Sequence, residues 1–386
     1  MSNEEILEFL LSSAHNDGYK GYSLFDSHNS TLPLEKLPKK LGFYVNQVIK
    51  RSPINFRKIL GVKKSINPKM LGLMVQVNGA MYRKTKSSIY LERLNRIYSL
   101  LLEVRSESSG MSWGYNYYWP KRVEKDVPAY TPNVVVTCFI GRGAYYAYLA
   151  TRDEKWKSLL EEIGTFLLND INIYKGKDGV CFSYTTAQKD KVINVNMLAA
   201  EILTYIDLVT EKKSHHKLVA EIIKFTSSHQ NADGSWWYSH GYSSNTFKKQ
   251  LDFHQGYVLE SLLRVSHHRS DLEHETKEII NRGDRFYREK ILDINKGIAK
   301  WRYPKKYPID IHNQAEAIIW LSLTNNLPQS KVFIDFTFKH FWSKSKGYFF
   351  YQKYPLITNK TKYLRWNNGW MSVALLTYLM GDEVLV

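Results

Sequence analysis

From Asn67 onward the chain repeats one pattern, two helical stretches followed by a short segment in which a glycine precedes aromatic residues. The stretches pair as 67–83 with 87–106, 131–150 with 153–169, 193–211 with 214–229, 252–268 with 272–289 and 310–326 with 328–343, and 366–380 closes the set. Between the pairs stand Gly110 to Trp113, Gly179 to Tyr184, Gly234 to Tyr238, Gly297 to Tyr303 and Gly347 to Tyr351. A helical hairpin cannot bury its apolar faces alone, so hairpins in series stack on one another. The predicted fold is all-α, an (α/α)6 toroid of six hairpins with first helices inside, second helices outside and the aromatic loops at one mouth. An unbroken repeat argues for one closed domain over 67–386 rather than two domains.

Residues 1–66 lie outside the repeat, and Pro33, Pro38 and Pro53 cut them into short pieces. They are predicted to form a basic, amphipathic extension packed on the toroid. The chain carries 54 Lys and Arg against 37 Asp and Glu, a formal charge of +17. Ten basic residues and one acidic residue lie between Glu35 and Lys69, interleaved with Leu37, Leu41, Phe43, Val45, Val48, Ile49, Ile54, Phe56, Ile59 and Leu60. Three readings fit this segment: a solvated helix face, an anionic membrane surface met through residues 36–69 with Lys39, Lys40, Arg57 and Lys58 toward the headgroups, and a grip on an acidic glycan. Nucleic acid is the least favoured partner.

Two cysteines, Cys138 and Cys181, suit a reducing compartment and cannot build a disulfide framework. Met1 to Ser12 carry Glu4, Glu5 and Glu8 and no basic residue, unlike an export signal. Charges interrupt every apolar stretch before the ~20 residues that span a bilayer. The expected location is the cytoplasm, with association at a membrane surface as the alternative.

Asn194, Asp252, Asp310 and Asn368 recur at 58-residue spacing at the starts of first helices, followed two positions on by Asn196, His254, His312 and Trp370. Asp at a helix start caps free N–H groups, and Gln255 stands at the capping-box distance from Asp252. The same starts converge on one cavity, where carboxylates can act as acid and base. Helical phase predicts that only one member of each Asp-x-His pair faces that cavity. The candidate catalytic residues are Asp252, Asp310, His254, His312, Tyr184, Tyr238 and Tyr351. Aromatic faces stack on sugar rings and Arg forks onto carboxylate or phosphate. Candidate substrate-binding residues are therefore Trp113, Tyr115, Asn194, Asn196, Trp236, Tyr303, Arg365, Trp366 and Asn368. No metal motif, Walker loop or dinucleotide fingerprint occurs, and no cofactor is predicted.

Gln230-Asn-Ala-Asp-Gly-Ser-Trp236 resembles the QW motif that staples hairpins in terpene cyclases, although the acidic motif of hopene-type cyclases is absent. Over most of the chain, Trp113-Gly-Tyr115, Cys181-Phe-Ser-Tyr184, Asp252-Phe-His-Gln-Gly-Tyr257, Tyr307-Pro-Ile-Asp-Ile-His312 and Arg365-Trp366 together resemble the VpsJ-like bacterial polysaccharide biosynthesis family. The chain is distantly similar to six-hairpin glycosidases and to the helical domains of uronyl epimerases. The resemblance implies a carbohydrate-active protein acting on an acidic or lipid-linked oligosaccharide in surface polysaccharide biosynthesis, by glycosidase, lyase or epimerase chemistry. An isoprenoid enzyme and a catalytically silent scaffold are the alternatives.

Overall fold

A computed structural model of the protein describes residues 1–119, 126–241 and 247–385, apart from the side chains of Glu35 and Lys39. Its α-helices are α1 (Asn3–Asn16), α2 (Lys39–Arg51), α3 (Pro68–Thr85), α4 (Ser88–Glu103), α5 (Val134–Thr151), α6 (Glu154–Asn169), α7 (Ile193–Thr210), α8 (His216–Ser228), α9 (His254–His268), α10 (Glu273–Phe286), α11 (Ile311–Leu323), α12 (Leu327–Phe341) and α13 (Trp370–Met380). Helices α3, α5, α7, α9, α11 and α13 each touch the next, and α13 returns to α3, so an inner ring closes. These helices are apolar nearly all round because neighbours cover every face. Where α3 meets α5 the backbones touch: a Cβ on Gly143 would stand 2.6 Å from the Gly72 carbonyl oxygen. Helices α4, α6, α8, α10 and α12 form the outer ring. Lys86, Arg152 and Glu211, at positive φ, end α3, α5 and α7 and turn the chain back into the next outer helix.

The toroid predicted from the repeat is present, and the segment 1–66 contributes to it directly. Helix α1 packs on α13 as the outer helix of the sixth hairpin, and Ile6, Leu7, Leu10 and Leu11 join the same core as the inner ring. Arg93 of α4 forks onto Glu8, at 2.7 Å to Oε1, and Phe9 meets Trp342 beyond α12 edge-on. The predicted division at residue 66 thus runs through one continuous core. Its sequence signal was hidden because the two helices of this hairpin are at opposite ends of the chain. Arg57, expected to face lipid, is fully buried, with Nε 2.6 Å from Asp26. Lys69 is buried as well. The Lys39 side chain lies outside the described residues.

A ladder joins each outer helix to the next inner one. Thr137, Asn196, Gln255 and Gln314, in the first turns of α5, α7, α9 and α11, accept hydrogen bonds from the backbone N–H groups of Trp113, Phe182, Trp236 and Ala299 at 3.0, 3.0, 2.8 and 2.6 Å. Each also donates back to a carbonyl of its own loop. Asn368 does the accepting half for Phe349 at 3.1 Å. From Thr137 to Gln314 the ladder spacing is 59 residues, so the counterpart of Asn196 is Gln255 and not His254. The glycines that open these loops are required by contact: a Cβ on Gly179 or Gly234, both at positive φ, would run into the Glu221 or Arg282 carbonyl oxygen.

On the barrel axis Arg142 holds Glu201 through Nε (2.6 Å) and Nη2 (2.7 Å) and Glu260 through Nη1 (2.8 Å), all fully buried. Among the described residues α7 alone is long and apolar enough to cross a bilayer, and 89% of it is buried within the toroid.

Candidate active site

The N-terminal ends of α9, α11 and α13 bring most of the predicted catalytic residues together. Asp252 lies just before α9, outside the helix, so helical phase does not apply to it. Its carboxylate turns onto the next turn's imidazole, with Oδ1 2.6 Å from His254 Nδ1 and Oδ2 2.5 Å from Gln250 Nε2. Arg302 Nε stands 3.8 Å away. Burial pushes this carboxyl up, but the charge and hydrogen bonds of His254 and the charge of Arg302 prevail and hold it below the usual carboxylate range. The carboxylate fixes Nδ1 as a proton donor and leaves Nε2 of His254 as the basic nitrogen. Gln255 is not part of a capping box, because its amide is spent on the Trp236 backbone.

Asp310 is the N-cap of α11 and serves three partners: the backbone N–H of His312 (2.9 Å), the Trp366 indole N–H (2.8 Å) and Gln352 Nε2 (2.7 Å). Gln352 arrives because strand 352–353 pairs with 309–310 in register, Asp310 opposite Gln352. Burial holds this carboxyl above the usual range despite those donors. Lys50 of α2 lies close enough to feel Asp310, Arg302 and Arg365, and burial draws its ammonium down to about 8.

His312 shares a 2.6 Å hydrogen bond with the Tyr257 hydroxyl through Nε2, while its buried Nδ1 has no partner. Burial, then the charges of Lys69 and Arg365, push it well below the usual imidazole value, so the ring is neutral. Phe253 stacks on both imidazoles, centroid to centroid 4.1 Å from His254 and 4.3 Å from His312. Trp370 stacks on His312 at 4.6 Å, and Tyr238 meets His254 edge-on at 4.7 Å. Below them the Lys69 ammonium faces the rings of Phe139 (3.9 Å), Trp370 (4.9 Å) and Tyr257 (5.2 Å), and burial drives its pKa far down.

Arg365 completes the cluster. Its guanidinium is buried, lies over the rings of Tyr115 (5.3 Å) and Trp366 (5.2 Å), and its Nε has no hydrogen-bond partner. No ion pair reaches it among the described residues. Tyr115 in turn stacks on Tyr117 and shares a 3.4 Å contact with the Tyr184 hydroxyl. These tyrosines and Trp119 line a tight cleft of about 10 Å³, room for about one water. A larger groove of about 360 Å³ lies on the rim between Tyr22 and Tyr348, bordered by Lys20, Lys64, Lys346, Lys360 and Lys362.

Other predicted residues are placed elsewhere. Trp113 and Trp236 are fully buried and donate their indole N–H to outer-helix carbonyls, of Leu101 (2.8 Å) and Thr226 (2.9 Å). They anchor loops, as do Asn196 and Asn368. Asn194 sits at the start of α7 with its carbonyl oxygen buried and unpartnered. Tyr303 packs on Phe286 of the outer helix α10. Tyr351 belongs to a small separate core with Leu24 and Tyr363. Sequence reasoning missed Phe253 and Tyr257, which read as ordinary helix residues, and Lys69, which was counted with the surface charge. The closure of the ring, not a motif, places them at the axis.

No family model matches the chain, and no curated protein matches it. Solved structures do. Cellobiose 2-epimerase from Bacillus thermoamylovorans B4167 matches with a TM-score of 0.61 at 12% identity, covering 81% of this chain and 87% of that one. A GH76 alpha-mannanase from Bacteroides thetaiotaomicron matches with a TM-score of 0.61 at 13% identity, covering 83% and 86%. Unsaturated glucuronyl hydrolase from Bacillus sp. GL1 matches with a TM-score of 0.63 at 10% identity, covering 96% and 94%. The fold is the one these proteins share, the (α/α)6 toroid.

Proposed function

We propose that the protein is a glycan-processing enzyme whose substrate carries an acidic group, acting by proton transfer at a sugar carbon. The observation that carries this reading is Arg365, a buried guanidinium without a counter-ion among the described residues, set on aromatic faces beside an Asp-oriented imidazole and a neutral one. An unpaired buried cation is costly, and a carboxylate or a developing oxyanion would satisfy it. Tyr115 and Trp366 offer the flat faces that sugar rings prefer.

Both carboxylates are engaged, Asp252 on His254 and Asp310 on three neutral donors, so the two imidazoles are better placed for acid and base than a carboxylate pair. In this reading a sugar ring takes the place between the imidazoles that the Phe253 ring fills. His254 Nε2 removes a proton from a carbon next to a carbonyl or carboxylate, the electrons move onto that oxygen beside Arg365, and the neutral His312 returns its Nδ1 proton as its Nε2 takes up the proton of the Tyr257 hydroxyl. Return to the other face is epimerisation, and loss of a β-substituent instead is elimination. The three structural neighbours named above, an epimerase, a mannanase and a glucuronyl hydrolase, support carbohydrate as the substrate class. The VpsJ-like resemblance supports surface polysaccharide assembly as its setting.

The polar lining of the mouth disfavours the isoprenoid alternative. The silent-scaffold alternative is favoured by one observation, the Phe253 ring wedged on both imidazoles. Incubation with uronate-containing oligosaccharides in D2O separates the two. Solvent deuterium should enter a sugar C–H position with the wild type and not with His254→Gln. An absence of exchange, product and binding across acidic glycans would leave the scaffold.

A further inference from the structure

The inward face of α2, with Gly42, Asn46 and Ile49, is buried against the rest of the chain. Its outward face is apolar: Leu41, Tyr44 and Val48, at helical spacing, are 49%, 50% and 65% exposed. The arrangement is the reverse of a surface helix that hides its apolar stripe. Ile54 and Ile59 extend the exposed apolar area past the end of α2. The strands 352–353 and 358–359 form a hairpin whose residue Asn359 donates to the Ser52 carbonyl at 2.7 Å, which fixes that hairpin beside the same surface. Leu356 at its tip is 100% exposed.

Lys40, Arg51, Lys58 and Lys63 are exposed around these side chains, and no Asp or Glu occurs from Lys36 to Lys69. We infer that this protruding apolar ridge, ringed by cations, seats the protein on an anionic bilayer surface. Three separate segments supply the tips, so the shape is a set of projections that enter an interface, not a groove that receives a peptide. A second copy of the chain is a poor occupant, because two such faces would bring like charges together. Aliphatic tips reach the acyl boundary, Tyr44 suits the headgroup level, and the cations meet the lipid phosphates. Lys50, on the same helix, sits over the Phe25 ring at 4.3 Å and within electrostatic reach of Asp310, so α2 borders the mouth of the toroid. The inference does not depend on the proposed chemistry.

The test is flotation of the full chain with vesicles of phosphatidylcholine alone or with phosphatidylglycerol added. Wild type should float only with the anionic vesicles. Val48→Glu with Leu356→Glu, and separately Lys40→Glu with Lys58→Glu, should each weaken partition by about tenfold or more at unchanged melting temperature. Leu208→Glu, an exposed apolar position on α7, should float as wild type. Failure of the wild type to float overturns the inference. So does full flotation of the Val48/Leu356 variant, which would mean adsorption by charge alone. Concentration-dependent dimerisation lost in that variant, without flotation of the wild type, would assign the ridge to a second copy.

Discussion

Gln255 is bonded to both polar groups of the Trp236 backbone, accepting from its N–H at 2.8 Å and donating to its carbonyl at 2.7 Å. One side chain in the first turn of an inner helix thus holds the loop that anchors the preceding outer helix. Gln255→Leu leaves two buried backbone groups unpaired, at about 1–3 kcal/mol each. Chemical denaturation should show a loss of a few kcal/mol, and Gln314→Leu should behave alike. Loss of less than about 1 kcal/mol in both would mean that the ladder is incidental.

Gly234 has φ of +90° and no space for a Cβ against Arg282. Gly234→Ala should lower stability by more than about 2 kcal/mol, combining backbone strain with displacement of α10. A melting temperature equal to wild type would refute the contact.

Asp252 and Asp310 should respond differently to removal of charge. Asp252→Asn loses the carboxylate that fixes the His254 tautomer, and turnover should fall by about 10²–10⁴-fold with KM little changed. Asp310 is held partly against its charge by burial, so Asp310→Asn should retain turnover within about tenfold. Steady-state kinetics on an acidic glycan, with full pH profiles, would reverse the assignment if Asp310→Asn were the inactive variant.

The neutral His312 makes stability depend on pH. Its folded-state value lies below that of the unfolded chain, so the unfolded chain takes up the proton first and stability falls as pH drops below about 6.5. Lys69, Arg365 and His254 surround it and reinforce the effect. His312→Gln should flatten the fall in melting temperature between about pH 6.5 and pH 5. An unchanged slope would place its origin in other groups, of which His240, drawn down to about 4 by burial, is the first to examine.

Arg142 neutralises two buried carboxylates. Arg142→Met strands Glu201, while Glu260 keeps Arg264 at 3.0 Å, and should cost about 3–5 kcal/mol, with much of that recovered when Glu201 is also replaced by Gln. Additive losses in the double variant would contradict a shared network.

The helix pairs and the glycine-aromatic loops were legible because amphipathic periodicity and turn glycines are local signals. The register was misread by one residue: Asp252 and Asp310 are 58 apart, but the bonded ladder through Gln255 and Gln314 runs at 59. Single residues added between repeats shift the chemistry without changing the pattern. His254, His312 and Arg365 were found from their positions at the mouth. Trp113 and Trp236 were assigned to substrate because sequence cannot tell a ring that anchors a loop from one that lines a cleft. Lys69 was counted with surface charge, and only closure of the ring reveals that it faces the axis.

The pairing of α1 with α13 has a consequence for how the protein is made. Helix α1 leaves the ribosome before any other element of the toroid and finds its partner only when α13 has been synthesised. Until then the nascent toroid is an open arc with an apolar edge at each end, and α1 has no surface of its own to cover. Completion is therefore a single late event in which both edges disappear together. Removal of α1 or of α13 should leave the arc open, so such chains are expected to aggregate rather than to persist as smaller folded rings.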